Sequence, residues 1–194
     1  MRRSYASRQQ PDFNRLSSGQ VTGIEQVRYL SEAACLAEVA RASTAVISIT
    51  EANRLASLQE GWGAVLQVQF ADAEFDEPLL QRLAARRVSI DLYAKGFPCR
   101  ERCEPILRFL ETLPAAYPGI TTLIVHCHAG QRRSAAVAKF AAEHFGVTFD
   151  HGYDGFNKTV YSLLQAPDRF DHLVPRKTSR GLLAGLFRTF GLSS

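Results

Sequence analysis

Long apolar runs are missing from this 194-residue chain. No stretch approaches the roughly 18 residues that a membrane span requires. The opening Met1-Arg2-Arg3-Ser4-Tyr5 runs into polar residues and not into the apolar core of a signal peptide. A soluble, cytoplasmic protein is therefore expected. Cysteine is scarce as well, with four residues at 35, 99, 103 and 127. Four cysteines in a chain of this length do not make a disulfide scaffold, so any special thiol must be recognised by its surroundings. The net charge of +4 beside 46% hydrophobic residues excludes a disordered chain, which needs low hydrophobicity and high charge. The length suits one domain with its own core.

The modest positive charge is unevenly placed. Residues 1–20 carry Arg2, Arg3, Arg8 and Arg15 against Asp12, and residues 175–194 carry Arg176, Lys177, Arg180 and Arg188 against no acid. The remaining 21–174 hold 15 basic and 18 acidic residues. A slightly acidic body with two basic ends gives little support to nucleic acid as a partner, and none is expected. Three parts follow: a mobile basic arm over 1–20, a catalytic domain over 21–174 and a basic amphipathic tail over 175–194.

Within the body, Ala33, Leu36, Ala37 and Ala40 recur at helical spacing behind Ser31, which predicts a helix from Ser31 to Arg41. The runs 45–49, 64–70 and 121–125 are β-branched or alternating and predict strands. Further helices are expected over Leu79 to Arg86, over Pro105 to Leu113 with proline in the first turn, over Ser134 to Phe145 closed by Gly146, and over Lys158 to Gln165. Helices alternating with short apolar strands predict an α/β fold, a mostly parallel sheet with helices on both faces. In such sheets ligands bind at the carboxyl ends of the strands.

After Val125 comes His126-Cys127-His128-Ala129-Gly130-Gln131-Arg132-Arg133-Ser134. A tight strand-to-helix turn with a glycine turns backbone N–H groups inward, and the helix start adds unpaired donors, so the loop is an anion cradle. The Gly-Lys-Ser/Thr ending of a nucleotide-binding loop is lacking. A thiol stands at its mouth instead, and the donors that would hold a phosphate also favour a thiolate, which makes Cys127 the candidate nucleophile. Arg133 can fork onto two phosphate oxygens. Ser134 can donate to the sulfur as it leaves. The alternative for Cys127 is a buried, inert thiol.

His-Cys-x5-Arg-Ser resembles the signature of the cysteine-dependent protein tyrosine phosphatase superfamily. The surrounding pattern is most similar to dual-specificity phosphatases and small bacterial tyrosine phosphatase-like proteins. The resemblance reaches from about Val27 to Leu164, including Val46-Ile47-Ser48-Ile49 and Phe156-Asn157-Lys158-Thr159-Val160-Tyr161. It implies a tyrosine-phosphatase-like fold and hydrolysis of a phosphorylated protein or small phosphate ester through a phosphocysteine. It also implies phosphate binding by the loop residues His128, Ala129, Gly130, Gln131, Arg132 and Arg133, and a His126 that tunes the thiolate. A satisfied core histidine is the alternative for His126, and a surface salt bridge the alternative for Arg132. No cofactor or metal is expected, since backbone donors and one arginine supply the positive charge. A monomer is expected.

The resemblance further implies an aspartic general acid on a loop after an earlier strand, because an alkoxide or phenolate cannot leave without a proton. Asp72, Asp76 and Asp91 compete. Asp72 follows the strand 64–70 and is preferred, although it lies 55 residues before Cys127, which makes 77–103 an insertion. Asp91 is nearer, at 36 residues. Three rivals remain: a silent phosphoprotein-binding module, a sulfurtransferase, which typically has four residues between cysteine and arginine, and a phosphatase of phosphoinositide or RNA 5′-phosphate.

Two weaker signals complete the reading. Cys99 and Cys103 are most simply free thiols; the alternatives are a disulfide partner for Cys127 or half of a zinc site with His126 or His128. The tail residues Leu182, Leu183, Leu186, Phe187 and Phe190 fall at helical spacing. They suit packing on the domain itself, or else contact of 177–194 with an anionic membrane or a partner.

Overall fold

Small and β-branched residues fill Thr44-Ala45-Val46-Ile47-Ser48-Ile49-Thr50, and all seven are buried in a strand at the middle of the molecule. The computed structural model describes residues 23–173 apart from Ser89 and His151. The expected arm over 1–20 and tail over 175–194 lie outside the described residues. The chain runs β1 (Gln26–Ser31), α1 (Glu32–Ala37), β2 (Thr44–Thr50), β3 (Ala64–Gln69), α2 (Glu77–Ala85), α3 (Arg100–Ala116), β4 (Thr122–Cys127), α4 (Arg133–Phe145) and α5 (Lys158–Gln165).

The strands form one sheet in the order β1-β4-β2-β3, with every pairing parallel. The expected α/β class holds, with the sheet wholly parallel. Side chains alternate between its faces. Ala45, Ile47, Leu123 and Val125 meet α3, α4 and α5 in the larger core, while Val46 and Ile124 meet Cys35 of α1, with Leu30, Leu58 and Trp62 packed around them. Burial of Ile47 or Ile49 contributes roughly 1.5–3 kcal/mol each.

Three elements differ from expectation. Gln26–Ser31, not foreseen as a strand, pairs with β4 from Gln26 opposite Thr122 to Ser31 opposite Cys127. It is an edge strand, whose polar Gln26 and Arg28 weaken the apolar signal, while Val27 and Tyr29 pack on the larger core. The first helix stops at Ala37 and not Arg41, since Glu38 is already extended, bonds Arg28 at 2.7 Å and returns its N–H to Cys35. One buried residue, Cys35, gives this helix little to propagate on.

The third helix starts at Arg100, so Pro105 lies inside it and not in its first turn. The turn ahead of the proline is held by side chains from within the helix and from outside it. Arg100 bonds Glu104 at 2.7 Å and Asp171 at 3.0 Å, and Cys103 is fully buried. The fourth helix conforms, Ala-rich and ended by Gly146 in the left-handed conformation.

Candidate active site

β4 lies between β1 and β2, so the chain leaves its carboxyl end in the middle of the sheet. Residues 128–132 span from Cys127 to the first turn of α4, where Arg133 and Ser134 stand. Three carbonyls of this segment are tied to surrounding structure: His128 accepts from Glu32 N–H at 3.3 Å, Gln131 from the Tyr153 hydroxyl at 2.9 Å, and Arg132 from Asn157 N–H at 3.1 Å. Across a trans peptide the next N–H is antiparallel to the carbonyl. The N–H groups of Ala129, Arg132 and Arg133 therefore point away from those anchors. Together with the amino end of α4, such N–H groups are suited to an anion.

Gly130 fixes the loop's shape. Its φ is +70°, and a Cβ there would stand 2.2 Å from the backbone nitrogen of Ser31. Gly146 shares the same φ but has open space around it. Gly146→Ala is thus expected to cost about 1–3 kcal/mol for the backbone conformation alone. Gly130→Ala adds a clash with the β1–α1 junction and should lower the denaturation midpoint well below that of Gly146→Ala; equal midpoints would contradict this placement.

Within the loop the Cys127 sulfur, almost fully buried, lies 3.2 Å from the Ser134 hydroxyl. Arg133 is 4% exposed. One terminal nitrogen, Nη1, donates to the Phe70 carbonyl at 2.7 Å and pairs with Glu51 at 2.8 Å. Its Nε is buried without a partner among the described residues. A buried guanidinium N–H without an acceptor is costly, and an oxyanion in the loop would satisfy it.

His126 is fully buried opposite Ser48, and neither ring nitrogen has a partner among the described residues. Burial pushes its pKa down, so the ring is neutral at pH 7. His128 instead lines a cavity of about 570 Å³ between α1 and the loop, with Glu32, Leu36, Glu51, Arg54 and Arg133. Arg54 grips Glu32 with two nitrogens at 2.6 Å and holds its carboxyl below the usual range.

The three aspartates separate clearly. Asp76 caps α2 by accepting from Leu79 N–H at 2.8 Å, and Asp91 caps a turn by accepting from Ala94 N–H at 2.9 Å. Asp72 alone of the three is tied to the anion loop, through Arg132 at 3.3 Å, and its carboxylate also accepts from Asn157 at 2.7 Å. Arg132 pairs with Glu74 as well.

Two residues of this arrangement were not singled out in the sequence. Glu51 sits just beyond the carboxyl end of β2, where the strand-end rule points as much as it does beyond β4. Asn157 stands before a predicted helix, the position of a cap, but its reach to Asp72 is a tertiary contact.

The chain matches no protein-family model and no curated protein. Among solved structures it is similar to a mouse protein described as a dual specificity phosphatase, in complex with zinc tungstate. That similarity is 20% in sequence, with 70% of this chain and 78% of the mouse chain covered and a TM-score of 0.34.

The remaining candidates lie apart. Cys99 and Cys103 are buried free thiols at the start of α3, and burial pushes the Cys99 pKa to about 11 and that of Cys103 up as well. Among the described residues no group of three His, Cys, Asp or Glu could hold a metal ion. Nor is any helix among them long and apolar enough to cross a membrane.

Proposed function

We propose that this chain is a cysteine-dependent phosphatase of the tyrosine phosphatase type, acting on phosphate monoesters and foremost on protein phosphotyrosine. One observation carries the reading: a buried arginine, braced through one nitrogen, leaves its Nε unpartnered at a loop of aligned amides that begins with a buried thiol. The Cys127 thiolate attacks phosphorus, forming an S–P bond as the ester P–O bond breaks. The departing oxygen keeps the bonding pair and takes a proton from Asp72. Water then attacks the phosphocysteine and yields a proton to Asp72, and the S–P bond breaks to return the thiolate. The Ser134 hydroxyl supports sulfur as leaving group. The loop amides and Arg133 bind the equatorial oxygens throughout, where charge is greatest.

The test is hydrolysis of an aryl phosphate by the full chain in the presence of a chelator. Turnover that vanadate inhibits, with phosphate trapped on Cys127 after acid quench, is the expected result. Binding of a phosphotyrosine peptide without turnover would select the silent binding module instead. Hydrolysis that stops on adding the chelator would reject the cysteine mechanism.

A further inference from the structure

Asn157 is fully buried and ties together three parts of the molecule. Its side-chain oxygen accepts from Val160 N–H at 3.0 Å and so caps α5. Its side-chain nitrogen donates to Asp72 at 2.7 Å and to the Ala73 carbonyl at 3.1 Å. Its backbone N–H donates to the Arg132 carbonyl, in the anion loop, at 3.1 Å. The amide cannot be turned over, because the Ala73 carbonyl only accepts and the Val160 N–H only donates.

The neighbouring residues extend the same junction. Thr159 accepts from Phe75 N–H at 2.8 Å and donates to the Phe75 carbonyl at 2.6 Å, while Lys158 N–H donates to Glu74 at 3.3 Å. Residues 72–75 are thus laid along 157–159, and the base of the segment is held where Arg133 binds the Phe70 carbonyl.

We infer that Asn157 is a positioning residue for the proton transfer: it ties the Asp72 oxygen Oδ1 to a buried amide, so that the proton is carried on Oδ2, which Arg132 Nε approaches at 3.3 Å, and it holds that carboxyl in register with the anion loop. This rests on the phosphatase reading above. General acid catalysis demands such placement, since a proton donor about 1 Å out of place can cost roughly 100-fold.

The variant that tests it is Asn157→Ser, which keeps a good helix cap but cannot reach Asp72. For phenyl phosphate, whose leaving group needs a proton, kcat/KM is expected to fall about 10- to 100-fold. For 2,4-dinitrophenyl phosphate, whose phenolate leaves unaided, the fall is expected to stay within about twofold, because general acid catalysis contributes little there. In an Asp72→Asn background the substitution should cost little more on either substrate. Equal losses on both substrates, or full additivity with Asp72→Asn, would show that Asn157 acts only as a helix cap and overturn the inference. Activity surviving Cys127→Ser would instead overturn the phosphatase reading itself. Asp72→Asn without leaving-group dependence would remove Asp72 as the acid, and the inference with it.

Discussion

Cys127→Ser is expected to lower kcat/KM for an aryl phosphate by roughly 10⁴-fold or more, the scale on which loss of a covalent nucleophile acts. The sulfur lies inside the loop at 3.2 Å from Ser134, so an oxygen in its place keeps the side chain's shape and a hydrogen-bonding partner. The anion cradle itself is built from backbone groups and Arg133, none of which the substitution removes. Phosphate or vanadate binding by the variant, read by calorimetry, should therefore stay within about tenfold of wild type, one tenfold step being 1.4 kcal/mol. What is lost is the soft sulfur nucleophile, for which a protonated serine hydroxyl is a poor substitute. Retained binding with lost turnover is the combination that assigns the chemistry to sulfur. A variant that neither binds nor turns over would point to a collapsed loop, and a variant that turns over would exclude Cys127 as nucleophile.

The parts of this site that were legible in the sequence are those encoded locally. β4 and α4 have clear periods, and between them Cys127, Gly130, Arg133 and Ser134 stand close enough in the chain that their spacing fixes their meeting. The choice among Asp72, Asp76 and Asp91 was not local. Each makes a plausible turn residue, but two of them turn out to satisfy nearby N–H groups three residues on. Asp72 is distinguished by Asn157, 85 residues away, and by Arg132, 60 residues away. Glu51 likewise acquires its meaning only when β2 is laid beside β4, which brings it to Arg133. The missed edge strand has the same origin. Gln26 and Arg28 read as polar chain until β4 supplies the backbone partners that make the segment a strand.

Arg133→Lys should be nearly as damaging as loss of the thiol, lowering kcat/KM about 10³-fold on the scale measured for transition-state arginines, but with a different signature. The guanidinium is asked to do two things at once. One nitrogen holds the Phe70 carbonyl at 2.7 Å and Glu51 at 2.8 Å, and Nε remains for the oxyanion. A lysine ammonium is a single point of charge that can serve the Phe70 carbonyl and Glu51 or the phosphoryl group, not both in a fixed plane. If it stays with Glu51, the phosphoryl group loses its fork and vanadate binding weakens along with turnover. If it turns to the phosphoryl group, the Phe70 carbonyl loses its donor two residues before Asp72, and the segment that carries Asp72 loosens. Either way ligand binding and catalysis fall together, whereas Cys127→Ser separates them. The accompanying Glu51→Gln variant keeps a neutral acceptor at the same place and should lose far less, since Arg133 then retains its full fork and most of its support. Arg133→Lys with binding and turnover close to wild type would mean that the buried arginine braces the segment after β3 without holding substrate.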